Sequence, residues 1–489
     1  MFKKLFLICL FAIFCISASA YENLPAAKLA DTDYMVGPYH SITNIGDPYI
    51  LYDDASGKYY MYVTGGSHFK CYSSDTMSEW TYEGDSYTVT EKSFGTKNYW
   101  APEVYKVGNT YYMVYSAMND AERYSIGLAK SDSPKGPFTD VYDHPLFAPD
   151  YSVIDASLFF DDDGRVYLFY SKDCSENTVS GMRTSQSYGI ELKKDLSATV
   201  GEPVLLSSPI YKWESISGTT RWNEGPFVFK NDNTYYLLFS ANYYATEHYS
   251  VGYATASSPL GPYVKASNNP LLKGDMIHTS GTGHCAITRS PDGSELYISY
   301  HSHNNPFDLS KVNRIPCIDK IVIKEDGTLK VSGPSFTIQP LPSGASGLYK
   351  KYDGINISST YKSVWGDVKL LSDELVAHDS ISGDATFRFI CDKENFIEIK
   401  YDTPISLSSL WIYGVKSVSM TPKRVYAVVN DKYKTATYTF SSVAPLSPVV
   451  IGFDALPNGE KVQNVKLYFE GRDTFTPVGA LSEIITVHR

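Results

Sequence analysis

The sequence predicts an all-β chain, a five-bladed β-propeller followed by a β-sandwich, on three observations. One short strand motif recurs five times between residues 40 and 340, tyrosine is abundant at 41 residues, and a Pro-, Gly- and Ser-rich stretch near 340 separates the repeats from further strand-like segments. The repeat decides the architecture. GKYYMYVTG at 57–65, GNTYYMVYSA at 108–117, DGRVYLFYSK at 163–172, DNTYYLLFSA at 232–241 and DGSELYISYH at 292–301 are copies of one strand. Aligned on Tyr60, Tyr112, Tyr167, Tyr236 and Tyr297, they are 52, 55, 69 and 61 residues apart, which leaves room for a small sheet in each repeat. Each copy follows a turn carrying Gly, Asp or Asn, and each turn follows another short strand, DPYILY, APEVYKV, ASLFF, GPFVF or CAITR. Every repeat therefore opens with a β-hairpin. Units of this length built only from short strands are the signature of propeller blades, here spanning 30–340.

Composition bounds the function. With 489 residues the chain holds two or three domains. Aromatic residues at 14% and charged residues at 20% exclude wholesale disorder. A net charge of −11, from 43 basic and 54 acidic residues, leaves no basic stripe for phosphates, so no nucleic-acid partner and no anionic membrane surface is expected. Residues 1–20 carry Lys3 and Lys4, an apolar run and Ala18-Ser19-Ala20, the pattern of a secretory signal peptide. A secreted, extracellular protein is expected, acting as a monomer. Beyond the leader, Cys71, Cys174, Cys285, Cys317 and Cys391 form an odd set without a CxxC pair, which excludes a disulfide scaffold and a zinc ribbon.

The repeat also points to a site. Counting back from the aligned tyrosines by 13, 12, 12, 12 and 13 residues reaches Asp47, Trp100, Asp155, Glu224 and His284, taken as one equivalent position in the five first strands. In a propeller those strands line the central channel, so the five side chains are expected to converge on the axis. Three carboxylates confined together push their pKa values apart, which is what acid/base chemistry requires. The alternative is that Asp47-Pro48 and Glu224-Gly225-Pro226 are turn residues at strand starts. The repeated tyrosines are expected to pack the blades, His301 and His303 to be loop or strand-end residues, with a place facing the channel as their alternative, and Asp53-Asp54 and Asp161-Asp162-Asp163 to be solvated turn residues.

GDPYILYDDASGKYYMYVT, YWAPEVYKVGNTYYMVYSA, VIDASLFFDDDGRVYLFYS, WNEGPFVFKNDNTYYLLFS and GTGHCAI resemble the blade signatures of family 43 glycoside hydrolases. The resemblance covers roughly residues 35–340, nearly the whole propeller. It implies Asp47 as general base, Glu224 as general acid and Asp155 as the carboxylate that orients the acid and raises its pKa. It places His284 at the axis histidine that in many members ligates a calcium ion, directly or through water; a plain channel histidine bonded to water is the other reading. Trp100 and Glu103 match pocket-wall positions. Arg314 lies where the family often has a substrate-contacting arginine, with a surface or blade-closing role as the alternative. Inverting hydrolysis needs one protonated carboxyl on the leaving oxygen and one ionised carboxylate activating water across the ring. The expected activity is inverting hydrolysis of α-L-arabinofuranosidic or β-D-xylosidic linkages in plant-type carbohydrate. A galactan-directed enzyme and a catalytically silent, lectin-like propeller are the alternatives.

Past the linker GPSFTIQPLPSGASG, residues 350–489 hold FIEIKYD, LSSLWIYGV, RVYAVVN, TATYTF and NVKLYFEG separated by polar turns, which predicts a β-sandwich. Their order resembles discoidin-type, coagulation-factor-like sandwiches. A sugar-binding module and a purely structural one both fit.

Overall fold

The computed structural model describes residues 21–26, 34–216, 218–308, 312–345, 350–352, 354–376, 386–444, 446–472 and 477–488. The leader expected at 1–20 lies outside the described residues. Apart from short 3-10 turns, every regular element among them is a strand.

Between residues 49 and 331 five antiparallel sheets follow one another along the chain. The first is Tyr49–Asp53, Lys58–Val63, His68–Ser74 and Thr81–Thr88. The second is Lys97–Val107, Thr110–Met118, Tyr124–Ser131 and Thr139–Asp140. The third is Val153–Phe160, Val166–Lys172, Gln186–Leu192 and Thr199–Ser207. Asn223–Asn231, Thr234–Ala241, Ser250–Ala256 and Val264–Lys265 form the fourth, with Leu272–Lys273 also pairing its third strand. The fifth is Gly283–Arg289, Leu296–His303, Arg314–Ile323 and Leu329–Val331. First strands of successive sheets touch, and the fifth touches the first. Second strands are covered on both faces, so Val166–Lys172 and Thr234–Ala241 are almost continuously buried rather than alternating. Of the aligned tyrosines, Tyr60, Tyr167, Tyr236 and Tyr297 are buried core residues.

One hydrogen-bonding device repeats at the inner end of every sheet. In the second to fifth sheets the first strand carries a bulge there, after Trp100, Ile154, Glu224 and Gly283, which pair with Ser116, Ser171, Ser240 and His301. In the first sheet Gly46 takes the same place, accepting the N–H of Thr64 at 3.0 Å. The next residue is in the left-handed region: Asp47 at φ 54°, Ala101 at 48°, Asp155 at 57°, Gly225 at 57° and His284 at 52°. That turn swings its N–H out of its own sheet. Each N–H finds the side chain of the sheet before it. Ala101 donates to Thr64 Oγ1 at 2.9 Å, Asp155 to Ser116 Oγ at 2.8 Å, Gly225 to Ser171 Oγ at 3.1 Å and His284 to Ser240 Oγ at 2.8 Å. Asp47 closes the round by donating to His301 Nδ1 at 3.3 Å.

This geometry corrects the register expected from the sequence. Asp155 and His284 are bulge residues and Asp47 holds the matching place before its strand, whereas Trp100 and Glu224 stand one residue earlier. The hairpin turns differ in length, with two-residue turns in the second and fourth sheets, so a backward count from the tyrosines slips by one there. A second correction concerns the acidic runs. Asp54, Asp162 and Asp163 are exposed, but Asp53 and Asp161 are buried. Each reaches the next sheet: Asp53 accepts from Lys106 at 2.6 Å and Tyr111 at 2.9 Å, Asp161 from Lys230 at 3.0 Å and Tyr235 at 2.7 Å.

A small sheet of Thr178–Val179, Met182–Thr184 and Thr220–Arg221 lies between the third and fourth in sequence. Past residue 350 the strands make three further sheets around a separate core that includes Phe389, Ile399, Leu410, Val429, Val465 and Leu467. The largest runs Glu22–Asn23, Tyr433–Lys434, Arg424–Val429, Val462–Glu470, Ile397–Ile405, Ile355–Ser359, with Tyr438–Thr439 also on Arg424–Val429. Glu22–Asn23 pairs in parallel with Tyr433–Lys434, and Leu24 joins the core. Tyr34–Val36 pairs with Ile338–Pro340. The two groups of sheets meet where Tyr413 donates to Ile338 O at 3.0 Å and Lys320 lies 2.6 Å from Glu374, around a cavity of about 220 Å³.

Candidate active site

A cavity of about 510 Å³ is lined by Asp47, Trp100, Asp155, Glu224, His284 and Arg314. Six of the seven residues singled out in the sequence therefore share one wall. Glu103 does not. It lies two residues past the Ala101 bulge and is buried, bonded by the hydroxyl of Tyr105, so it packs beneath the cavity rather than lining it. Burial pushes its carboxyl up to about 8, against the hydrogen bonds of Tyr105 and Ser157.

Asp47 is surrounded by donors and positive charge. Thr64 Oγ1 donates to its Oδ2 at 2.5 Å and Arg314 Nη1 to its Oδ1 at 2.9 Å. His284 Nδ1 and His301 Nδ1 stand 3.4 and 3.5 Å from Oδ1. Burial alone would raise this carboxyl; Arg314, then His284, outweigh it and hold Asp47 well below the usual carboxylate range. Gly46 makes the approach of Arg314 possible, because a Cβ there would fall 2.1 Å from Arg314 Nη2. Arg314 also lies over the Tyr244 ring, 4.9 Å from its centroid.

Glu224 is treated the opposite way. It is buried, and burial followed by the charge of Asp155 lifts it well above the ordinary value, with one opposing hydrogen bond from the Tyr249 hydroxyl at 3.0 Å. Asp155 is raised too, by burial and the charge of Asp47, against His284. Its Oδ2 accepts from Gly225 N and from Ser171 Oγ, both at 3.0 Å. Because Gly225 follows Glu224 directly, that bond fixes the backbone carrying the acid. The positive φ of Gly225 suits a residue without a side chain, and a Cβ there would sit 3.3 Å from His284 Nδ1. One carboxyl pushed toward the ionised form and one toward the protonated form on a single cavity is the arrangement that acid/base chemistry needs.

Several lining residues were not singled out by sequence: Trp222, Tyr243, Tyr244, Tyr249, Arg183 and Cys174. Trp222 packs on Tyr243 with centroids 5.2 Å apart, and Trp100 on Tyr124 at 4.7 Å, so two indoles flank the cavity. His301 belongs to the site as well, wholly buried in the fifth sheet's second strand, with burial pushing its imidazole down to about 3. His284 is the single residue at which a calcium ion was expected. Among the described residues no group of three or more His, Cys, Asp or Glu side chains is placed to hold a metal ion; His284 would be the imidazole contact of such an ion.

Comparisons with known proteins agree with this chemistry. The model of glycosyl hydrolases family 43 matches residues 42–329. A beta-D-galactofuranosidase of Aspergillus niger is 30% identical over 275 residues, covering 53% of this chain and 73% of that one. A xylosidase/arabinosidase of Thermoclostridium stercorarium is 25% identical, covering 66% and 71%. Among solved structures, a thermostable family-43 glycoside hydrolase is 43% identical with a TM-score of 0.60, covering 63% of this chain and 99% of that one.

Proposed function

The chain belongs to glycosyl hydrolases family 43, and from that membership we propose an inverting glycosidase in which Glu224 is the general acid, Asp47 the general base and Asp155 the carboxylate that keeps the acid protonated. The observation that carries this reading is the opposite environment of two carboxyl groups on one cavity, Asp47 beside Arg314 and Glu224 beside Asp155. In the reaction Asp47 takes a proton from water as that water attacks the anomeric carbon. Glu224 gives its proton to the departing glycosidic oxygen, and configuration inverts in a single displacement. Asp155 supports the acid twice, by its charge and through its bond to Gly225 N. Trp100, Trp222 and Tyr243 offer flat faces to apolar sugar surfaces.

The five sheets in cyclic contact are taken as blades of one five-bladed β-propeller over 30–340, with the cavity at one end of its axis. The three later sheets are taken as a discoidin-like β-sandwich over 350–489 that either binds sugar or supports the propeller. The substrates proposed are α-L-arabinofuranosidic and β-D-xylosidic linkages of plant-type carbohydrate, reached by a secreted monomer; the xylosidase/arabinosidase relative favours this choice. The galactofuranosidase relative favours a second reading, a β-D-galactofuranoside as the sugar. Family membership and the intact carboxyl set favour turnover over silent sugar binding.

The test is a panel of aryl α-L-arabinofuranosides, β-D-xylosides and β-D-galactofuranosides, with the first-formed sugar followed by NMR. Turnover with inverted configuration is expected, and the preferred glycoside decides the sugar. Net retention would overturn the assignment of roles.

A further inference from the structure

His301 occupies the one place in the hydrogen-bonded round where an imidazole stands instead of a hydroxyl. At the other four places Thr64, Ser116, Ser171 and Ser240 accept the N–H of the next sheet, so a serine would serve closure of the round equally well. The imidazole makes contacts that a serine cannot. Nδ1 accepts the Asp47 N–H at 3.3 Å and stands 3.5 Å from Asp47 Oδ1. The ring lies nearly parallel to Tyr249, with centroids 5.5 Å apart and 14° between planes, and Tyr249 donates to Glu224 Oε1 at 3.0 Å. His284 faces it at 6.4 Å. With Nδ1 accepting, the proton resides on Nε2. Nε2 is buried without a hydrogen-bond partner among the described residues, an arrangement that lowers stability. Packing therefore does not account for a histidine here.

We propose that His301 is a positioning residue that couples the two reacting carboxyl groups, holding Asp47 through its backbone N–H and holding Tyr249, by its ring face, where the phenol reaches Glu224. This rests on the reading of Asp47 as base and Glu224 as acid. In the fold, the second strand of the fifth sheet thus joins the segment entering the first sheet to the site's acid on the fourth.

The experiment is His301→Ser in the full chain, which restores the residue type found at the equivalent places. The variant is expected to keep its melting temperature while kcat falls about tenfold or more and KM stays within about twofold, since small displacements of reacting groups cost rate rather than binding. Tyr249→Phe removes the hydroxyl alone. The double variant is expected to lose less than the product of the two single losses, because both act through one contact chain. An unchanged kcat in His301→Ser, or fully multiplicative losses in the double variant, would overturn the proposal. Should His301→Ser fail to fold, His301→Asn, which keeps an acceptor and more volume, is put through the same measurements with the same deciding outcomes. Inverting turnover by the wild type alongside an unchanged His301→Ser removes the positioning role alone. A wild type that gives retained product removes the reading beneath it as well.

Discussion

Arg314 Nη1 donates to Asp47 Oδ1 at 2.9 Å across 267 residues of sequence. The last strand group of the ring of sheets thereby sets the charge state of a residue at its beginning. A carboxylate beside a guanidinium stays ionised well into acid, and removing the cation lets its pKa rise. Arg314→Gln is therefore expected to move the acid limb of kcat/KM to higher pH, with kcat falling about tenfold to a hundredfold. Gly46→Ala should produce the same shift by pushing the guanidinium away. A pH profile in which both variants keep the wild-type acid limb would refute the link.

The acid is expected to respond in the other direction. Asp155 raises Glu224 by repulsion, so Asp155→Asn should let Glu224 lose its proton at lower pH and pull the alkaline limb down. The amide still offers an oxygen to Gly225 N. Glu224→Gln should harm substrates with poor leaving groups by about a hundredfold or more and activated aryl glycosides far less. Leaving-group dependence and the position of the alkaline limb are the measurements.

Asp53 is held down to about 2, its burial outweighed by Lys106, Ser56 and Tyr111. A carboxyl whose folded pKa is depressed adds stability above its unfolded pKa and loses it as pH falls through the folded one. Asp53→Asn should cost about 2 kcal/mol at pH 7. The difference should shrink below about pH 4 and vanish near pH 2. Urea titrations at several pH values test this, with activity per folded molecule unchanged.

If His284 holds a calcium ion through one imidazole contact and water, exhaustive chelation should lower activity or melting temperature, and added Ca²⁺ should restore it. His284→Gln should abolish that response. Chelation without any effect, with no metal found by elemental analysis, refutes the ion.

Truncation from residue 345 removes Glu374, one of the two carboxylates on Lys320, and Tyr413, which donates to Ile338, as well as the strand beside Glu22–Asn23. The truncated chain is expected to melt lower by several degrees. If the later sheets also bind sugar, small-substrate turnover should persist while polymer is attacked less efficiently, because tethering raises local concentration. Equal loss on both substrates would favour support alone.

The hairpins were legible because each turn and each Tyr-rich strand repeats locally, and Asp47, Asp155 and His284 were legible because they recur near fixed distances from that strand. Glu103 was misplaced because its direction depends on the bulge at Ala101, and a bulge leaves no composition signal. Asp53 and Asp161 looked like turn residues since their partners lie in the next sheet. A signal did exist: Lys106 and Lys230 each precede an aligned tyrosine by six residues. His301 likewise sits four residues after its tyrosine, where Thr64, Ser116, Ser171 and Ser240 also sit. Tyr249 stands just before a third strand, where Tyr249-Ser250-Val251-Gly252 repeats Tyr124-Ser125-Ile126-Gly127 of the second sheet; the repeat marks the place but not the bond to Glu224, which only the fold supplies.

The parallel pairing of Glu22–Asn23 with Tyr433–Lys434 has a consequence for biogenesis. The strand made first lacks its neighbour until roughly 400 more residues are synthesised, some 20–80 s at about 5–20 residues per second. Tyr34–Val36 waits almost as long for Ile338–Pro340. Throughout that interval both short strands keep unpaired edges, and an unpaired edge is a template on which another chain can pair.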